Sequence, residues 1–132
     1  MVQSAARGRT DRGPAETDRG FPDGVDRERE DEMKYYILEG NMKPDIPQGP
    51  EFKKILDAHH AFMVPYFEAG KILTSGPKTG GRGGVILLRL EDDETVEDFI
   101  AADPFTQSGI QEYRITEFNV YQIQEYAKGW TE

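Results

Sequence analysis

The sequence predicts an α+β domain of the split βαβ type, and three observations carry that prediction. Four short runs are rich in β-forming side chains, two stretches place apolar residues at three- and four-residue steps, and the elements follow the order β-α-β-β-α-β. That order gives one four-stranded antiparallel sheet with both helices on one face, a ferredoxin-like topology.

The first strand is read at Lys34 to Glu39 and stops at Gly40-Asn41. Met42 to Pro50 holds three prolines and a glycine and is expected to be a loop. From Glu51 to Ala69, Phe52, Ile55, Leu56, Phe62, Met63, Tyr66 and Phe67 mark one buried helical face, with Pro65 kinking the final turns and Gly70 ending them. Lys71 to Ser75 and Val85 to Leu90 read as strands joined by a flexible, glycine-rich hairpin. A short second helix presents Val96, Phe99 and Ile100, is capped by Asp92, Asp93 or Thr95, and must stop near Asp103 because Pro104 disfavours helical geometry before it. After a turn at Ser108-Gly109, Tyr113 to Ile123 is the last strand.

Of 132 residues, 36% are hydrophobic and 31% charged, a balance diluted by the first thirty-two. There the large apolar side chains are Met1, Val2, Phe21 and Val25, too few to offset ordering entropy, so residues 1–32 are expected to be a disordered charged leader and Met33 the natural start. The folded domain is expected over 33–127, followed by a tail at 128–132. A net charge of -9 opposes nucleic acid as a partner. Without cysteine there is neither disulfide nor thiolate chemistry, and with no run of about 20 apolar residues no membrane span or membrane partner is expected, so a cytoplasmic location follows. Apolar strand residues such as Tyr35, Tyr36, Val85, Ile86 and Tyr121 fall on both sheet faces. The face without helices therefore calls for a second copy packed sheet to sheet, a homodimer.

The two histidines point about 100° apart on the first helix. His59 continues the apolar stripe and faces the sheet, whereas His60 shares its side with Lys53, Asp57 and Val64. His59 is either a structural histidine hydrogen-bonded to a neighbour or half of an acid-base pair. Asp103 is the candidate for the other half, held extended by Pro104 at the end of the second helix, from where a carboxylate could fix the tautomer of His59. The alternative for Asp103 is a helix-terminal residue that caps a turn.

The string His59-His60-Ala61-Phe62-Met63, then Glu68-Ala69-Gly70-Lys71-Ile72-Leu73-Thr74-Ser75-Gly76-Pro77, and later Asp103-Pro104-Phe105 resembles the YCII-related family. The resemblance spans about Met33 to Ala127. It implies a ferredoxin-like fold assembled as a dimeric α+β barrel and a His-Asp site, here His59 and Asp103. The family includes a dehydrochlorinase of a chlorinated hydroxyhydroquinone, while the proline-rich loop and the leader depart from its shorter members.

Ser75, at a strand end before Gly76-Pro77, is a third candidate, as a donor to a substrate oxygen or as a strand-end residue satisfied by backbone. Thr79 to Gly84 lacks the Gly-Lys-Ser/Thr ending of a phosphate loop, and Glu91 to Glu94 is explained by the helix dipole, so no metal and no cofactor is expected. Two functions remain open: a cofactor-independent acid-base enzyme of lyase, isomerase or dehydrochlorinase type acting on a small organic substrate, and a dimeric small-ligand-binding or regulatory module.

Overall fold

The computed structural model describes residues 33–132, and the expected leader lies outside the described residues. The elements are β1 (Lys34–Met42), α1 (Pro50–Glu68), β2 (Ile72–Pro77), β3 (Gly84–Leu90), α2 (Val96–Ala102), α3 (Pro104–Gln107), β4 (Gln111–Phe118) and a C-terminal 3-10 helix (Glu125–Thr131). The sheet order is β2-β3-β1-β4 with every neighbouring pair antiparallel, the ferredoxin-like arrangement that the element order predicts.

Alternation along the strands separates the two faces. Tyr36, Leu38 and Gly40 of β1 and Ile86, Leu88 and Leu90 of β3 are buried beneath the helices, with Ile72, Val96 and Phe99 completing the core. Phe62, Met63 and Tyr66 of α1 pack against that core from above. Tyr36, Ile72, Leu88 and Leu90 lie toward one end of the sheet, and Leu38 and Ile86 face each other across its middle. The other end, where β1 and β2 finish and β3 and β4 begin, is left for a cavity.

α1 ends where the sequence places its stop. Gly70 sits at φ 79 and donates to the Phe67 carbonyl, and the Lys71 N–H reaches back to Tyr66, which together form a Schellman cap. Pro65 stays within the helix. It leaves the Ala61 carbonyl without a helical donor, on an exposed side of the helix where water can serve instead. Thr95 caps α2 by accepting from the Asp98 N–H at 3.1 Å.

Several elements depart from expectation. β1 continues through Gly40 to Met42 because Gly40, Asn41 and Met42 find partners in Tyr113, Glu112 and Gln111. β4 ends at Phe118, which pairs with Tyr35 next to the start of β1, so the segment with Val120, Tyr121 and Ile123 runs on past the β1–β4 ladder, and Tyr121 is exposed. The short helix α3 follows Asp103 directly and was not foreseen. The domain boundary expected at Ala127 falls inside the 3-10 helix, whose Trp130 is buried against Tyr35, with ring centres 5.2 Å apart. Arg89 secures that helix by donating to the Trp130 carbonyl at 2.7 Å.

The glycine-rich hairpin between β2 and β3 is tied to β1. Met42 N–H donates to the Arg82 carbonyl, and the Arg82 guanidinium donates to the Lys43 carbonyl. Gly83, at φ 123, lies so close to β1 that an added Cβ would stand 1.9 Å from the Gly40 carbonyl oxygen. We expect Gly83→Ala to destabilise the fold by about 1–3 kcal/mol from backbone strain alone, with the clash adding to it. Urea unfolding followed by the fluorescence of Trp130, the single tryptophan, reads this as a lower midpoint; an unchanged midpoint would show that the hairpin can swing clear of β1.

Candidate active site

α1 spans the sheet with one apolar stripe, so a residue seven positions after Phe52 returns to the sheet-facing side. That residue is His59. Its side chain is 13% exposed, and its Nδ1 stands 2.8 Å from Oδ1 of Asp103. Phe105 stacks on the imidazole at 4.0 Å with the rings 10° from parallel, so the ring is held on its face as well as at its edge.

Asp103 reaches this position through local backbone chemistry. Pro104 holds it extended at φ -71 and ψ 126, which ends α2 and starts α3. Its Oδ1 accepts from the Phe105 N–H at 3.0 Å, the N-cap of α3, as well as from His59. The same oxygen thus caps α3 and meets the His59 ring. Oδ2 accepts from the Tyr113 hydroxyl at 2.5 Å, and Asp103 is 0% exposed. Both oxygens therefore meet donors, as a buried carboxylate requires.

His59 forms part of the wall of a cavity of about 410 Å³ between α1 and the sheet, with Asp103 behind it. Leu56 and Met63 of α1, Met42 of β1, Ile86 of β3 and Phe105 of α3 supply an apolar lining, and among the described residues no lysine or arginine lines it. With Nδ1 engaged by Asp103, the Nε2 of His59 is the ring nitrogen without a protein hydrogen bond among the described residues. An imidazole donating through Nδ1 carries a lone pair on Nε2, the requirement for a general base.

Ser75 pairs with Ile86 on β2 and lines the same cavity, without a hydrogen bond to His59 or Asp103. The structure thus brings His59 and Ser75 to one cavity, with Asp103 buried behind His59 and in contact with it. His60 is exposed, as its helical side indicates, yet it also lines the cavity with its ring centre 5.7 Å from that of His59.

Tyr113 and Gln111 were missed. They read as the opening of an edge strand, and only their alternation on one sheet face, toward the helices, could have flagged them. Gln111 is 5% exposed, and its side chain fills the space beside Gly40, where an added Cβ would stand 2.6 Å from it. Among the described residues no three His, Asp or Glu side chains are grouped as metal ligands; Glu94 of the acidic run instead pairs with Lys71.

Compared with known proteins, residues 33–119 match the family model described as YCII-related domain. No curated protein matches the chain. Among solved structures the chain is similar to 5-chloro-2-hydroxyhydroquinone dehydrochlorinase (TftG) from Burkholderia phenoliruptrix AC1100, in complex with 2,5-dihydroxybenzoquinone. The TM-score is 0.51 at 20% identity, over 64% of this chain and 93% of that one. At that identity the likeness bears on the fold.

Burial, together with the hydrogen bond to Asp103 and its negative charge, pushes the Tyr113 phenol far above its ordinary value of 10.0. Burial also raises Tyr36, to about 12. The folded protein therefore keeps protons that the unfolded chain releases, so the stability these groups contribute is complete below about pH 10 and falls as the pH rises beyond it. In an alkaline titration of the six tyrosines, we expect the last phenolate signal to vanish in Tyr113→Phe. A Tyr113→Phe curve that simply loses an ordinary phenol near pH 10 would contradict this.

Proposed function

The chain belongs to the YCII-related family, and we propose that its cavity is the active site of a cofactor-independent acid-base enzyme of the lyase or isomerase type. The observation that carries this reading is the 2.8 Å contact between His59 and a fully buried Asp103 at the wall of that cavity. Asp103 accepts the Nδ1 proton and leaves Nε2 to take a proton from the substrate. The imidazolium formed by that transfer is stabilised by the adjacent carboxylate. In an isomerisation the proton returns to a different substrate atom. In an elimination the electron pair of the broken bond expels the leaving group, and the proton passes to water.

An apolar lining with no lysine or arginine among the described residues suits a small uncharged or weakly charged organic molecule rather than a phosphate ester or a polycarboxylate. The net charge of -9 favours the same class. Ser75, across the cavity, is suited to donate to a substrate oxygen. Activity on a halogenated hydroxylated ring, by elimination of the halide, is the specific reaction we propose by likeness to TftG. We place that activity in the cytoplasm; no described helix is long and apolar enough to cross a membrane, and no nucleic-acid or membrane partner is proposed.

The test is chloride release from 5-chloro-2-hydroxyhydroquinone, with the wild-type protein against His59→Gln and Asp103→Asn. We expect the His59→Gln rate to fall by roughly 10²–10⁴-fold. Equal rates in the wild type and His59→Gln would overturn the catalytic role. Ligand binding at the cavity without turnover would favour the small-ligand module instead.

We also propose that the sheet face opposite the helices pairs with a second copy. Ile37 and Val85 on that face are 38% and 40% exposed, and Leu87 lies beside Ile37. Sedimentation should show a dimer for the wild type and a monomer for Ile37→Lys with Val85→Lys. A wild-type monomer would remove this part of the proposal.

A further inference from the structure

We infer that Tyr113 is a positioning residue that sets the tautomer of His59 through Asp103, forming a one-directional hydrogen-bond relay from the sheet to the reacting ring. The inference rests on the acid-base reading above and assigns to it a residue that neither the helical stripe nor the Asp-Pro-Phe motif contains.

The argument is one of counting hydrogens. A phenol carries one hydrogen, and at 2.5 Å from Oδ2 of Asp103 the Tyr113 hydroxyl must spend it there. The direction is thereby fixed: Tyr113 donates to Oδ2 of Asp103, and Oδ1 of Asp103 receives the Phe105 N–H and the Nδ1 hydrogen of His59. Every group in the chain has its hydrogen assigned. The imidazole is left with its lone pair on Nε2, at the cavity.

Burial makes the relay rigid. Asp103 is 0% exposed, so water does not compete for these bonds, and the neighbouring Gln111 is 5% exposed. Gly40 is the device that admits Gln111, since a Cβ there would stand 2.6 to 2.7 Å from three side-chain atoms of the amide. Tyr113 itself pairs with Gly40 across the β1–β4 ladder, so one glycine accommodates the start of the relay.

The test is the ¹⁵N spectrum of the His59 ring, which distinguishes an N–H nitrogen from a lone-pair nitrogen, recorded at a pH where the ring is neutral. The wild type should show an N–H signal at Nδ1 and a lone-pair signal at Nε2. In Tyr113→Phe, Oδ2 is left buried without a donor, and we expect loss of the single-tautomer pattern, with both nitrogens moving to intermediate positions. If Tyr113→Phe does not fold, the wild-type hydroxyl proton spectrum serves as the reading: a low-field, slowly exchanging Tyr113 resonance is expected, and its absence overturns the relay. Asp103→Asn separates the two claims. If Asp103→Asn disturbs the pattern while folded Tyr113→Phe leaves it as in the wild type, the relay is overturned and the pair survives. If the wild type already shows an N–H signal at Nε2, both fall together.

Discussion

A carboxylate with no solvent exposure is tolerated only when its lone pairs are met by donors, and Asp103 meets that condition with one group from each element around it. His59 comes from α1, the Phe105 N–H from α3, and the Tyr113 hydroxyl from β4. Removing any one donor leaves a buried acceptor short, at a cost of about 1–3 kcal/mol. The side-chain partners are separated widely along the chain, so the carboxylate also fixes how helix and sheet sit against each other. Stability and the poise of the imidazole depend on the same atom pair.

The space between helices and sheet is divided by side-chain size. Where β1 carries Tyr36 and Leu38, the gap is filled by Leu88, Leu90 and Phe99. Two residues further on, β1 carries Gly40, and the filling gives way to Gln111, Tyr113 and the cavity. Phe105 belongs to both regimes: it is buried, stacks with Phe52 at 6.4 Å, and forms the floor on which His59 lies. A helix with no fully buried residue, such as α1, can still be held in place because its inward side chains span this boundary.

The fold was legible because its signals are local. The period of α1, the left-handed stop at Gly70 and the Pro104 barrier each act within a few residues, and each is where the sequence puts it. His59 and Asp103 were legible for the same reason, one by helical period and the other by its proline. What escaped the sequence was pairing. The extension of β1 past Gly40 and the end of β4 at Phe118 follow from which residues lie opposite, which a single strand does not declare. Tyr113 and Gln111 became visible only when β4 was laid beside β1, since an alternating edge strand looks alike whether its inward face meets a core or a carboxylate.

The C-terminal 3-10 helix separates the inherited unit from the cooperative one. Similarity to the family model stops at residue 119, yet Trp130 is buried on Tyr35, and its indole donates to the Lys71 carbonyl at 3.4 Å. Lys71 directly follows the left-handed stop of α1, so a segment outside the shared family core braces the joint at which the His59-bearing helix turns into β2. A lineage that exchanged this appendage for another would keep the residues that line the cavity and alter the set of its main helix, a route by which one ancestral fold could acquire differently shaped cavities without a substitution inside them.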